Sequence, residues 1–192
     1  MPFYVPEFEE ALPILSQARR VLVIGCSGSG KSTLSRKLSA KLNLPYISMD
    51  RDFFWLPGWV KRSKAEERAL IAASVAKDRW IMDGSGPSTF DLRFPRTDMV
   101  IWVRVPRRVC LWGLVCRVVS SFGRVRPDMA PGCPEQLPDR EFLSYIWNFE
   151  RRVSPVIIQM LDRHAPDMPV LTLWSRRHIN ALIERVQEFT NA

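Results

Sequence analysis

"VLVIGCSGSGKSTLS", residues 21–35, decides how the rest of the chain is read. The run "VLVIG" is short, β-branched and ended by glycine, so it reads as a buried strand. From Lys31 onward, Leu34, Leu38 and Leu42 recur every four residues, the stripe of a helix. Between them Gly25, Cys26, Ser27, Gly28, Ser29, Gly30, Lys31 and Ser32 satisfy G-x-x-x-x-G-K-[ST] in full, in the strand–loop–helix context the motif requires. Its glycines let the backbone curl so that successive N–H groups point inward. The helix beginning near Lys31 aims its positive dipole end at the same spot. Lys31 is then placed to neutralise β/γ-phosphate charge, Ser32 to give a hydroxyl to Mg²⁺, and Thr33 to make a further polar contact near the α-phosphate. A plain Gly/Ser turn is the competing reading, and the complete motif in its strand–helix setting outweighs it. ATP and Mg²⁺ are the expected cofactors.

Outward from this loop, strands and helices alternate. "YISM" reads as a second strand ending at Asp50, "RWIM" as a third ending at Asp83-Gly84, "MVIWVRV" as a fourth closed by Pro106, and "PVLTLW" as a fifth. Helices are expected over 7–20, 63–77, 107–120 and, with Pro155 kinking it, 139–164, with a final amphipathic helix in "RRHINALIERVQEF". The pattern predicts an α/β P-loop NTPase fold: a five-stranded parallel sheet with helices on both faces and a small lid. Ligands on such sheets bind beyond the carboxyl ends of the strands, where Gly25, Asp50 and Asp83 fall. With 192 residues the chain is expected to be one domain. Residues 1–20 form an N-terminal extension, 51–77 an acceptor-binding segment and 121–138 the lid.

The composition is that of a globular protein, but 28 Lys+Arg against 20 Asp+Glu give a net charge of +8. That balance points to an anionic partner, either phosphate-bearing ligands or nucleic acid, or else to a solvated surface. No helix-turn-helix, zinc-finger or RNP pattern supports nucleic acid. The cysteines, 26, 110, 116 and 133, make no CxxC pair and no zinc spacing, and suit a reducing compartment. The acidic, proline-bearing start "MPFYVPEFEEALP" is not a signal peptide, and no apolar run has the length of a membrane span. A cytoplasmic protein is expected. His164 and His178 are isolated and read as structural.

The chain resembles the adenylate-kinase-like P-loop proteins known as DNA topology modulation proteins. The matching stretches are "IGCSGSGKSTLSRKL", "LPYISMDRDFFWLPGW", "RWIMDGSG", "TFDLRFPRTDMVIWV", "GRVRPDMAPGCPE", "FLSYIWNFERR" and "SRRHI", which together cover about residues 21–185. The group is similar in fold to small-molecule and nucleoside monophosphate kinases. The resemblance implies a phosphotransferase moving the γ-phosphoryl group of Mg-ATP to a small-molecule or nucleotide acceptor. The alternative is a nucleic-acid-associated ATPase or regulator that uses the basic charge. One position departs from the group: where its fourth strand often ends in an acidic residue, this chain has Arg104. The carboxylate on the metal side is therefore assigned to Asp83.

By the same resemblance Asp50 binds or deprotonates the acceptor hydroxyl and Arg93, in "DLRFPR", holds the acceptor. Arg117 is placed near the adenine, as is the "WSRRHI" segment. Phe53, Phe54, Trp55 and Trp59 either wall the acceptor pocket or pack the 63–77 helix onto the sheet. Arg124 and Arg126 in the loop, and Arg151 and Arg152 on the helix after it, are candidates to stabilise the transferring phosphoryl group. With its Gly/Pro-rich sequence and few acids near its arginines, the lid is expected to be mobile without ligand and to close over phosphates.

Overall fold

The computed structural model describes residues 3–191. Its centre is the strand read from the opening stretch, β2 (Arg20–Gly25), buried from Val21 onward. It is flanked by β6 (Trp80–Asp83) and β7 (Met99–Val103), both buried along their whole length. Near-continuous apolar runs of this kind belong to parallel strands covered on both faces. β3 (Tyr46–Ser48) pairs with β6 and β8 (Pro169–Leu173) with β7. All pairings in this sheet are parallel, in the order β1 (Phe3–Val5), β8, β7, β2, β6, β3.

The sheet has six strands, one more than expected. The sixth is β1 (Phe3–Val5), an edge strand beside β8. With α1 (Phe8–Gln17), which buries Ala11, Leu12 and Leu15, it makes the N-terminal segment part of the core. Three residues carry no period that sequence can reveal; pairing with β8 makes them a strand.

The helices are α2 (Lys31–Leu42), α3 (Lys64–Val75), α4 (Phe90–Arg93), α5 (Arg107–Ser121), α6 (Arg140–Arg152), α7 (Ser154–His164) and α8 (Arg176–Asn191). The expected long kinked helix is two helices, α6 and α7, meeting at Val153. Pro155 sits in the first turn of α7, where its missing N–H leaves no bond unmade. α6 starts on a side-chain cap, the Phe142 N–H donating to Asp139 Oδ1 (2.7 Å). No helix among the described residues is long and apolar enough to cross a membrane.

Two segments that sequence left without regular elements take specific forms. Residues 50–62 make a single wide helical turn, Asp50–Phe54, then an antiparallel ribbon of β4 (Trp55–Leu56) and β5 (Val60–Lys61). The 121–138 segment, expected to be a lid, is a loop docked on that ribbon. Met129, Ala130 and Cys133 are buried against Trp55 and Trp59. Gly58 N–H donates to Gly132 O (3.1 Å), Trp59 Nε1 to Pro134 O (3.1 Å) and Ser48 Oγ to Asp128 O (2.8 Å). The loop has its own hydrophobic cluster, and a residue-by-residue count of Gly and Pro does not show one.

Candidate active site

The loop between β2 and α2 lies at the carboxyl edge of the sheet. Gly28 (φ +75°) and Gly30 (φ +97°) take left-handed backbone that other residues rarely adopt. Gly30 precedes α2 with no side-chain cap, so the first N–H groups of α2 lack a side-chain acceptor. Such a helix end favours an anion. A second loop braces the first: Gly25 N–H donates to Ser85 Oγ (2.9 Å), whose hydroxyl donates back to Gly25 O (2.8 Å).

A cavity of about 880 Å³ opens above this loop. Ser27, Gly28, Gly30, Lys31, Ser32 and Thr33 form its floor, and Asp50, Arg117 and Arg126 stand around it. Sequence reasoning placed all of these at one site, and the structure brings them together. Arg36, Arg108 and Arg176 also line the cavity. Arg176, from the "WSRRHI" segment, donates to Gly28 O (3.1 Å). Lys31 Nζ donates to Cys26 O at 3.5 Å, the long end of the hydrogen-bond range. Ser29 is fully buried and its hydroxyl has no partner among the described residues. Cys26 contributes backbone only, its thiol facing Ile146 O (4.0 Å) in the core.

Asp83 ends β6 and is 3% exposed. Tyr46 OH donates to its Oδ2 (3.2 Å). Burial raises its pKa to about 6, against the lowering by Lys31 and the Ser32 hydroxyl; Asp50 and Asp128 push it up further. Asp50 is half-buried. Burial raises its pKa too, opposed first by Lys31 and then by Arg126. Among the described residues no set of three or more His, Cys, Asp or Glu side chains gathers as a metal cage. Mg²⁺ in nucleotide sites needs only one or two carboxylates beside the phosphates, so Ser32 with Asp83 fits that ion. The glycine-lined cradle and the surrounding guanidiniums fit a triphosphate.

Other expected site residues lie elsewhere. Arg93 is 0% exposed. It donates to Gly84 O (2.7 Å), Ser85 O (3.0 Å), Gly86 O (2.7 Å) and Thr89 Oγ1 (3.1 Å) and lies over the Phe90 ring. Burial lowers its pKa to about 9. With its donors spent on that loop it braces Ser85, and through Ser85 the phosphate loop, and it does not face an acceptor. Arg124, Arg151 and Arg152 are exposed and outside the cavity lining. Trp55 stacks edge-on against Trp59 (5.1 Å) beneath the docked loop, and Phe54 closes against Gly86. Trp55 and Trp59 also pack on the 121–138 loop, a contact neither reading of these aromatics included. Arg117, placed near the adenine from sequence, lines the cavity and also meets the phosphate loop, its Nη1 donating to Ser27 Oγ (3.2 Å). Arg104 pairs with Glu150 and lies over the Trp102 ring (4.9 Å), a packing role away from the cavity.

Sequence reasoning missed Ser85, Arg176 and Glu135. Ser85 stood in the quoted "RWIMDGSG" and Arg176 in "WSRRHI", but neither side chain was given a role of its own. Glu135 stood in the quoted "RPDMAPGCPE" without a role, although that spacing of Arg, Asp and Glu was the available signal.

No protein-family model matches the chain. Over 173 residues it is 25% identical to a shikimate kinase of Pseudomonas syringae pv. syringae (strain B728a), spanning 82% of this chain and 95% of that protein. Among solved structures, the shikimate kinase from Acinetobacter baumannii in complex with shikimate aligns with a TM-score of 0.53 at 10% identity, over 94% of this chain and 97% of that one. The deoxyadenosine kinase from M. mycoides with bound dATP aligns with a TM-score of 0.48 at 14% identity, over 90% of this chain and 100% of that one. The chain has an α/β P-loop NTPase fold: a parallel sheet carrying the G-x-x-x-x-G-K-S loop at its carboxyl edge.

Proposed function

We propose that the protein is an ATP-dependent phosphotransferase acting on a small acceptor that bears a hydroxyl group. The observation that carries this reading is one cavity shared by the phosphate loop, the Asp50 carboxyl and the Arg117 and Arg126 guanidiniums. The likeness to kinases in sequence and fold supports it, and the narrower resemblance to the DNA topology modulation group rests on the sequence motifs.

Lys31 and the N–H groups of the loop take the β- and γ-phosphates. Ser32 and Asp83 hold Mg²⁺, which when bound offsets phosphate charge. Asp50 accepts the proton of the acceptor hydroxyl, and its burial-raised pKa makes it a stronger base than a solvated aspartate. Arg117 and Arg126 stabilise charge on the phosphoryl group in transfer. The phosphoryl moves from the leaving ADP oxygen to the acceptor oxygen, and Asp50 carries the released proton.

The test is ADP release from Mg-ATP over a panel of hydroxyl-bearing metabolites, with Asp50→Asn and Asp83→Asn beside the unaltered protein. Asp50→Asn is expected to lose transfer by about 100-fold or more while binding ATP normally. Asp83→Asn should raise the Mg²⁺ requirement. Equal losses of nucleotide affinity in both variants would overturn this division of roles, and the absence of ATP binding by the unaltered protein would sink the reading itself.

A further inference from the structure

At the wall of the cavity four charged side chains from two segments form one network. Glu135 is 5% exposed and its two oxygens serve two different arginines. Arg117 Nε donates to Oε1 (2.9 Å) and Arg126 Nε to Oε2 (2.7 Å). Arg126 Nη1 also donates to Asp128 Oδ2 (2.6 Å), and Arg117 Nη1 to Ser27 Oγ of the phosphate loop. Each guanidinium keeps its Nη2 group without a protein acceptor among the described residues, and both line the cavity. Two like charges at such a site repel. Burial and the Arg126 charge both act to lower the pKa of Arg117, with Glu135 opposing them.

The backbone sets where the carboxylate stands. Glu135 N–H donates to Arg124 O (2.9 Å), and Glu135 O accepts from Gly123 N–H (3.0 Å). The preceding residues are pinned under Trp59, whose N–H meets Cys133 Sγ (3.3 Å) and whose Nε1 meets Pro134 O. The glutamate is thus a fixed point, and the two long arginines are the movable parts it orders.

We propose that Glu135 is a positioning residue: its buried carboxylate takes the Nε–H of both Arg117 and Arg126, holding their outer N–H groups toward the terminal phosphates of a nucleoside triphosphate. This rests on the phosphotransferase reading. Glu135 touches no substrate; it acts through the two arginines.

The test is calorimetric affinity for a non-hydrolysable ATP analogue and for AMP, each with Mg²⁺, in the unaltered protein, Glu135→Gln and Met129→Ala. Glutamine keeps the shape but turns one acceptor into a donor facing an N–H. Glu135→Gln is expected to lower the preference for triphosphate over monophosphate about tenfold or more, the scale of one charge-assisted hydrogen bond lost, while AMP affinity stays within about twofold. Met129→Ala loosens the same loop by removing a buried side chain. It should lower Tm and leave that preference in place. An unchanged preference in Glu135→Gln overturns the proposal alone, as does an increase, which would make the carboxylate a shield against phosphate. A collapse in Met129→Ala equal to that in Glu135→Gln also overturns it, since loop stability would then be what matters. A wild-type protein with no preference for triphosphate overturns the phosphotransferase reading, and this proposal with it.

Discussion

Asp83 shows how far one residue's chemistry depends on its surroundings. Its pKa rises from an ordinary 3.8 to about 6 because the strand end that carries it is buried. The unfolded chain gives up this proton first as pH rises, so ionised Asp83 costs the fold stability. The cost grows between about pH 4 and pH 6, reaches about 3 kcal/mol, and persists above that. Asparagine has the shape of the neutral acid and carries no such cost. Asp83→Asn is therefore expected to stabilise the folded protein by up to about 3 kcal/mol at pH 8 and to change it little at pH 4. It should weaken Mg²⁺-dependent triphosphate binding at the same time. Denaturant unfolding at the two pH values checks this, and equal effects at both would contradict it. Arg93 makes the complementary case: a residue type suited to anions is used here to hold three carbonyls in place.

Between elements, α5 comes very close to the phosphate loop. A Cβ at Gly113 would lie 2.1 Å from Gly28 O and 2.8 Å from Arg176 Nη2. Helix propensity alone favours Gly113→Ala by about 1 kcal/mol. The backbone carbonyl of a braced loop cannot give way, and overpacking of this kind costs about 1–3 kcal/mol. Gly113→Ala is expected to lower stability by up to about 2 kcal/mol net and to weaken triphosphate binding about tenfold by shifting α5 away from the loop. Thermal denaturation and calorimetry read both effects; a more stable variant with unchanged binding would contradict the close-contact account. The same scale explains the two group-specific motifs. "DRDFFWLPGW" supplies Trp55 and Trp59, and "RPDMAPGCPE" supplies Met129, Ala130 and Cys133 that pack on them. Each motif is the other's packing partner, which is why the 121–138 loop is folded.

Over the whole molecule, the N-terminal segment closes one edge of the sheet. Val5, Leu12 and Leu15 are buried there, and burying three such side chains contributes about 6 kcal/mol, comparable to the stability of an ordinary domain. Deletion of residues 1–17 also bares the β8 edge to other chains. The truncated protein is expected to unfold at much lower temperature or to aggregate on expression. A truncated chain with the Tm of the full one would show the segment to be dispensable. The basic balance also has a spatial pattern: Lys31, Arg36, Arg108, Arg117, Arg126 and Arg176 all face the one cavity. That concentration favours a phosphate-bearing ligand as the reason for part of the +8 charge.

By itself the sequence determined the alternation of strands and helices, the parallel sheet and the phosphate loop. Each of these is local: a strand is a short apolar run, a helix a stripe, and the loop a motif of eight consecutive residues. It also marked Asp50 and Asp83, because strand ends are legible and ligands gather there. Tertiary structure alone decided which charges belong to the cavity. Arg126 and Arg117 turn into it, Arg93 is sealed in the core, and Arg124, Arg151 and Arg152 face outward. An arginine reads the same in all these places along the chain. Its role is set by which carboxylates and carbonyls stand within hydrogen-bond reach, and those come from segments tens of residues away, as Glu135 does for Arg117.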